Sequence, residues 1–132
     1  MILGIGNDII NIKRIDGLLR NFNGKFELRC FSKSEQSICD LSFHRAAAYA
    51  KRFASKEAFS KAIGTGISNG ISWQDIEIFN LPGGKPYISV SGRAFDILHS
   101  LVPKGYRPVI HLTISDDFPF ANAFVVVENK LL

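Results

Sequence analysis

The sequence is poor in the residues that build stapled or metal-knit folds. It has two cysteines, Cys30 and Cys39, and three histidines, none of them at the spacing of a zinc site. Neither a disulfide framework nor a structural metal is therefore indicated, and both thiols are expected to be reduced. One tryptophan and one methionine leave eleven phenylalanines to supply much of the bulk of a core. The opening residues, Met-Ile-Leu-Gly-Ile-Gly-Asn-Asp, lack the basic n-region of a signal peptide and meet an acid at Asp8, so they read as neither leader nor membrane span. The expectation is a cytoplasmic protein with no membrane partner. No GxSxG elbow, HExxH pair or paired CxxC is present, which leaves serine-hydrolase and zinc-peptidase chemistry without support.

What is present fits an ordinary folded chain. With 132 residues, 46% hydrophobic and 21% charged, residues 1–132 are expected to form one domain with a real core. Sixteen Lys and Arg against twelve Asp and Glu give a formal charge of +4, which argues for an anionic partner without naming it. The excess is local: Lys13, Arg14, Arg20, Lys25, Arg29 and Lys33 face only Asp16 and Glu27 in the same stretch. One reading of that cluster is a small basic nucleic-acid-binding module. Against it, the phenylalanines fall mostly on apolar stripes rather than among the bases, and Asp8 and Glu57 would repel phosphates unless a metal intervened.

Hydrophobic spacing divides the chain. Ile2, Leu3, Ile5, Ile9 and Ile10 around Gly4 and Gly6 read as a short buried strand whose glycines bulge or admit another backbone. Asn11 caps a helix with apolar residues at Ile12, Ile15, Leu18, Leu19 and Phe22, leaving Lys13, Arg14 and Arg20 mostly off the stripe. Ser32 and Glu35 form a capping box for a short helix toward Leu41. A long alanine-rich helix runs from about His44 to Ile63 and is closed by Gly64. Ile76 and Ile78, the turn from Leu81 to Pro86, and Tyr87 to Val90 form a hairpin. A further helix spans Arg93 to Leu101, and strands over Val109–Ser115 and Ala121–Glu128 finish the chain. The order predicts an α+β fold with a largely antiparallel sheet packed on the long helix.

The chemistry concentrates in Arg52-Phe53-Ala54-Ser55-Lys56-Glu57-Ala58-Phe59-Ser60-Lys61-Ala62-Ile63-Gly64-Thr65-Gly66. One helix turn separates Glu57 from Lys61, on a line with Ala50 and Ala54, small side chains expected to let a ligand approach. A carboxylate able to hold a divalent cation beside an ammonium able to hold a phosphate suits a phosphate-transfer or nucleotide-binding site. The same pair also reads as a plain surface i,i+4 contact worth about 0.2–0.5 kcal/mol. Asp8, at the exit of the first strand, reads equally as a helix cap. Gly4-Ile5-Gly6 and Gly64-Thr65-Gly66 do not make a dinucleotide fingerprint, since the first lacks a third glycine and the second ends a helix instead of opening one. His44 and His99 lack acidic partners at triad spacing, whereas His111 shares the polar face of its strand with Thr113 and Ser115.

Taken in order, Gly4-Ile5-Gly6-Asn7-Asp8-Ile9, the Arg52–Ala58 run with Lys61–Gly66, Gly84-Lys85-Pro86 and His111-Leu112-Thr113-Ile114-Ser115 resemble the holo-acyl-carrier-protein synthases. These are short members of the phosphopantetheinyl transferase superfamily, and the resemblance covers nearly the whole chain. It implies transfer of 4′-phosphopantetheine from coenzyme A to a serine of apo-acyl-carrier protein in fatty acid biosynthesis, with release of adenosine 3′,5′-bisphosphate and a requirement for Mg²⁺. On this resemblance Asp8 and Glu57 are the metal ligands, and Lys61 neutralises charge on the pyrophosphate. Arg52, Gly64, Thr65, Gly66, Lys85, Pro86 and His111 line the coenzyme site. The acceptor of the serine proton stays open between a metal-bound water or hydroxide, Glu57 and His111.

The resemblance further implies a homotrimer with coenzyme bound in clefts between subunits. It makes Lys13, Arg14, Arg20, Lys25 and Arg29 a docking surface for the acidic carrier protein; the plain alternative is a solvated basic face. Many relatives carry a second histidine where this chain reads Ser115-Asp116-Asp117, so any role of that histidine is absent or replaced here. A member that had kept coenzyme binding but lost turnover is a third possibility.

Overall fold

A computed structural model describes all residues, Met1–Leu132. The elements run β1 (Ile2–Asn11), α1 (Ile12–Asn21), α2 (Lys25–Cys30), α3 (Lys33–Leu41), α4 (Arg45–Ala62), a 3₁₀ turn (Trp73–Asp75), β2 (Ile76–Asn80), β3 (Pro86–Val90), α5 (Gly92–Ser100), β4 (Tyr106–Asp117) and β5 (Phe120–Leu131). β1, β5 and β4 form an antiparallel three-stranded sheet with β5 in the centre, and β2 and β3 form a separate hairpin. The fold is α+β, with α4 packed across the sheet, as the spacing predicts. No helix is long and apolar enough to cross a membrane.

Local signals account for the element boundaries. Asn11 caps α1 by accepting from the Lys13 amide at 2.9 Å, and α1 buries Ile12, Ile15 and Leu19. Ser32 and Glu35 close their capping box on α3, each side chain taking the other's backbone N–H. α4 stops where Gly64 turns to φ +86°, a conformation other residues adopt only under strain. α2 goes beyond the sequence expectation. It is six residues long, starts from Gly24 at φ +82° and has no side-chain cap, so its sequence carries little to announce it.

Register decides which residues meet. Along β5, Ala121, Ala123, Val125 and Val127 are wholly buried toward α4, while Asn122, Phe124, Val126 and Glu128 alternate onto the other face. Asp8 pairs with Ala123 and so lies on the α4 side, whereas His111 pairs with Val126 and lies on the opposite face. β1 is therefore not the buried strand expected. It is ten residues long, and Ile5 and Ile9 are 60% and 63% exposed on the outer face.

Gly4 and Gly6 admit a helix backbone. A Cβ built on Gly4 would stand 1.9 Å from the Ala62 carbonyl oxygen, and one on Gly6 would stand 1.8 Å from that of Ala58. Only glycine lets β1 lie this close to α4. Ala50 and Ala54, expected to leave room for a ligand, are wholly buried in the core instead. That core also holds aromatic pairs, with Phe31 and Tyr49 edge to face at 4.8 Å and Phe53 stacked on Trp73 at 4.7 Å. Fully burying such a side chain contributes about 1.5–3 kcal/mol.

Candidate active site

Asp8 leaves β1 on the α4 side, and the glycine contact brings it beside the last turns of that helix. There Lys61 Nζ donates to Asp8 Oδ1 at 3.1 Å and to the Asn7 carbonyl at 3.0 Å, closing 53 residues of chain. Asn122 fixes the same strand end by donating to Asn7 Oδ1 at 2.8 Å and to the Asp8 carbonyl at 3.1 Å. Only strand register brings Asn122 here, and no sequence motif signals it.

Glu57 is one turn before Lys61 and half-buried. Burial raises its carboxyl above the ordinary range, the neighbouring Asp8 charge adds to the rise, and Lys61 and Arg14 oppose it. The charges of Asp8, Lys61 and Arg14 thus all act on the Glu57 carboxyl. No group of three or more Asp, Glu, His or Cys side chains is placed to hold a metal ion. Two carboxylates fit Mg²⁺, which keeps several waters and takes substrate phosphate oxygens.

Glu57 opens into a cavity of about 580 Å³ lined also by Arg29, Ile67, Ile71, Ser72 and Trp73. Gly64 and Gly66 hold positive φ angles in the loop after α4, with open space above both. The Thr65 and Gly66 amides both return to the Ser60 carbonyl at 3.1 Å, which folds the loop back on the helix end. A smaller cavity, about 200 Å³, lies between α4, the hairpin turn and β4, lined by Lys51, Arg52, Ile78, Asn80, Gly84, Pro86, Ile114 and Asp116. Arg52 is 6% exposed, donates to Asn80 Oδ1 at 3.3 Å and keeps its buried Nε without a partner. Lys85 is exposed on the same turn, and Lys51 faces Asp116 at 3.8 Å.

The residues assigned to the metal and to the coenzyme therefore fall into two groups. Asp8, Glu57, Lys61 and the Gly64–Gly66 loop belong to one, Arg52, Lys85 and Pro86 to the other, and the two cavities share no residue. Five residues separate Arg52 from Glu57, which turns them about 140° apart around α4. His111 joins neither group within the chain. It lies on the outer sheet face, its Nε2 at 3.4 Å from Glu128 Oε1.

Of the basic residues, Lys13, Arg14 and Arg20 are exposed on α1, and Lys25 and Arg29 are exposed on α2. Arg20 is tied to Asp16 at 2.9 Å and Lys13 lies over the Phe118 ring. Lys25 and Arg29 border an apolar hollow floored by Leu18, Phe22 and Phe26. Cys30 and Cys39 are free and buried, and burial raises each thiol to about 11. Lys56 and Glu35 form a wholly buried ion pair at 2.7 Å. Both residues were visible in the sequence, one in the α4 run and one in the capping box, but nothing there linked them.

The family model of the 4′-phosphopantetheinyl transferase superfamily matches residues 4–121. The chain belongs to that superfamily. Among its relatives, a holo-[acyl-carrier-protein] synthase of Rhizobium leguminosarum bv. trifolii is 52% identical over 97% of this chain and 96% of that protein. The crystal structure of the holo-[acyl-carrier-protein] synthase of Neisseria meningitidis is 37% identical, with a TM-score of 0.84 over 97% of this chain and 99% of that one. The Helicobacter pylori synthase, solved in complex with coenzyme A, is 35% identical with a TM-score of 0.79, covering 94% of this chain and 99% of that one. Membership of this superfamily is what the resemblance in the sequence implies.

Proposed function

We propose that this transferase moves 4′-phosphopantetheine from coenzyme A to a serine of apo-acyl-carrier protein, releasing adenosine 3′,5′-bisphosphate, in fatty acid biosynthesis. The observation that carries the reading is the meeting of Asp8, Glu57 and Lys61 from two distant parts of the chain. Asp8 and Glu57 would hold Mg²⁺, which when bound polarises the pyrophosphate oxygens and offsets their charge. The serine oxygen attacks the phosphorus nearest the pantetheine, the bridging P–O bond breaks, and the electron pair leaves with the adenosine bisphosphate. Lys61 can turn from Asp8 to the phosphates and stabilise the charge that grows on the leaving group. Within one chain Glu57 is a candidate acceptor of the serine proton; His111, on the outer sheet face, would serve from another copy.

The working unit is a homotrimer with coenzyme between subunits. Two features support it: Ile5, Ile9 and Phe124 form an exposed apolar strip on the outer sheet face, and the coenzyme-lining residues divide into two groups of one chain. A cleft formed by one copy's Glu57 side and a neighbour's Arg52 side would reunite them. The bases of α1 and α2, with the hollow between them, suit an acidic carrier protein, and Arg14 already acts on Glu57.

Intact-mass analysis of apo-carrier protein incubated with the chain, coenzyme A and Mg²⁺ tests the activity. The expected result is a gain of one phosphopantetheine, lost on chelation. Coenzyme binding with no mass gain on any carrier would mean a binding protein, and retention of single-stranded nucleic acid instead would favour the basic-module reading.

A further inference from the structure

Lys56 precedes Glu57 on α4, is turned about 100° from it around the helix and is wholly buried. Its ammonium has three protons, and the structure provides three acceptors: Glu35 Oε1 at 2.7 Å, the Cys30 carbonyl at 2.8 Å and the Trp73 carbonyl at 3.1 Å. Glu35 in turn accepts from the Ser32 amide at 2.9 Å and the Ile78 amide at 3.0 Å. One buried pair thus joins the end of α2, the start of α3, the 3₁₀ turn and β2 to the middle of α4.

One of those acceptors belongs to a wall of the Glu57 cavity and a second adjoins one. Cys30 directly follows Arg29, and Trp73 is itself a wall residue. Between Ala62 and Trp73 the chain has no helix or strand; backbone turns and the Arg93 bond to the Asn69 carbonyl at 3.3 Å hold its earlier part, and the Lys56 bond holds it at Trp73. On the solvent side, Gln74 Nε2 donates to the Leu28 and Phe31 carbonyls at 2.6 and 3.1 Å, a second tie between the same two walls.

We propose that Lys56 is a positioning residue, fixing Arg29 and Trp73 relative to Glu57 so that the cavity keeps the shape the coenzyme needs. This rests on the reading of Glu57 as part of the transfer site. Stability alone is a poor reason for such a pair. Desolvation offsets most of its attraction, and apolar replacements of similar volume are often tolerated or stabilising. Geometry is the better reason, because catalysis is sensitive to misplacement of about 1 Å.

The test compares Lys56→Met/Glu35→Gln with the parent and with Glu57→Gln. The double variant leaves no unpaired buried charge. It is expected to fold with a similar melting temperature, yet to raise KM for coenzyme A and lower kcat/KM by about 10- to 100-fold. Amide exchange over residues 67–75 should rise about tenfold or more while the β1–β5–β4 amides keep their protection. A double variant that folds and keeps parental KM and kcat overturns the proposal, as does a loss of activity no larger than its unfolded fraction. Should the double variant not fold, Lys56→Met alone, in which Glu35 keeps its bonds from the Ser32 and Ile78 amides, is expected to give the same direction of change in KM and exchange, and parental values for both would overturn the proposal. Glu57→Gln separates the two readings: if it is inactive while the double variant is normal, only the role of Lys56 falls. Full transfer by Glu57→Gln would remove the reading of Glu57 and the proposal with it.

Discussion

Glu57 is held against its own preference. In water its carboxyl would ionise in the ordinary range near pH 4.3, but burial and the Asp8 charge raise its pKa in the fold. Below the unfolded pKa both states are protonated and nothing is lost. As pH rises through the folded value, the carboxylate ionises in both states and the native state bears the cost. Glu57→Gln, measured with a chelator present, is therefore expected to raise the melting temperature at pH 7, with the difference closing near pH 4. Adding Mg²⁺ should raise the melting temperature of the parent and leave the variant unmoved. A variant less stable than the parent at pH 7 under chelation would contradict this account of Glu57.

At the scale of elements, the glycines of β1 decide whether Asp8 reaches α4. Gly6→Ala would drive a Cβ into the Ala58 carbonyl and is expected to cost about 2 kcal/mol or more in urea unfolding. Gly17→Ala in α1 is the control. It meets nothing closer than Asn21 Nδ2 at 4.0 Å and should gain about 0.5–1 kcal/mol. Equal effects at both sites would remove the close β1–α4 contact from the account. The sequence made the elements with strong local signals legible: the Asn11 cap, the Ser32–Glu35 box, the helix ended by Gly64 and the Leu81–Pro86 turn are all formed. It hid α2, which has no cap, and it misled on Ala50, Ala54 and Ile5, because composition does not tell which face a small or apolar residue takes. The motif residues Asp8, Glu57 and Lys61 were legible together. The separation of Arg52 and His111 from them was not, since it follows from helix rotation and strand register.

For the whole molecule, the surface bases and the shared clefts make separable claims. Lys25→Glu is a cleaner probe of docking than Arg14, whose charge also acts on Glu57. It should raise KM for carrier protein roughly 3- to 10-fold and leave that for coenzyme A unchanged; equal changes in both would count against docking. The central claim is that each site joins Asp8, Glu57 and Lys61 of one copy to Arg52 of another, and mixing inactive variants tests it most directly. Glu57→Ala and Arg52→Gln, each inactive alone, are co-expressed and assayed for transfer. Random trimers should recover about a quarter of the parental rate, since one cleft in four unites two intact halves. No recovery from co-assembled, folded chains would contradict the shared site.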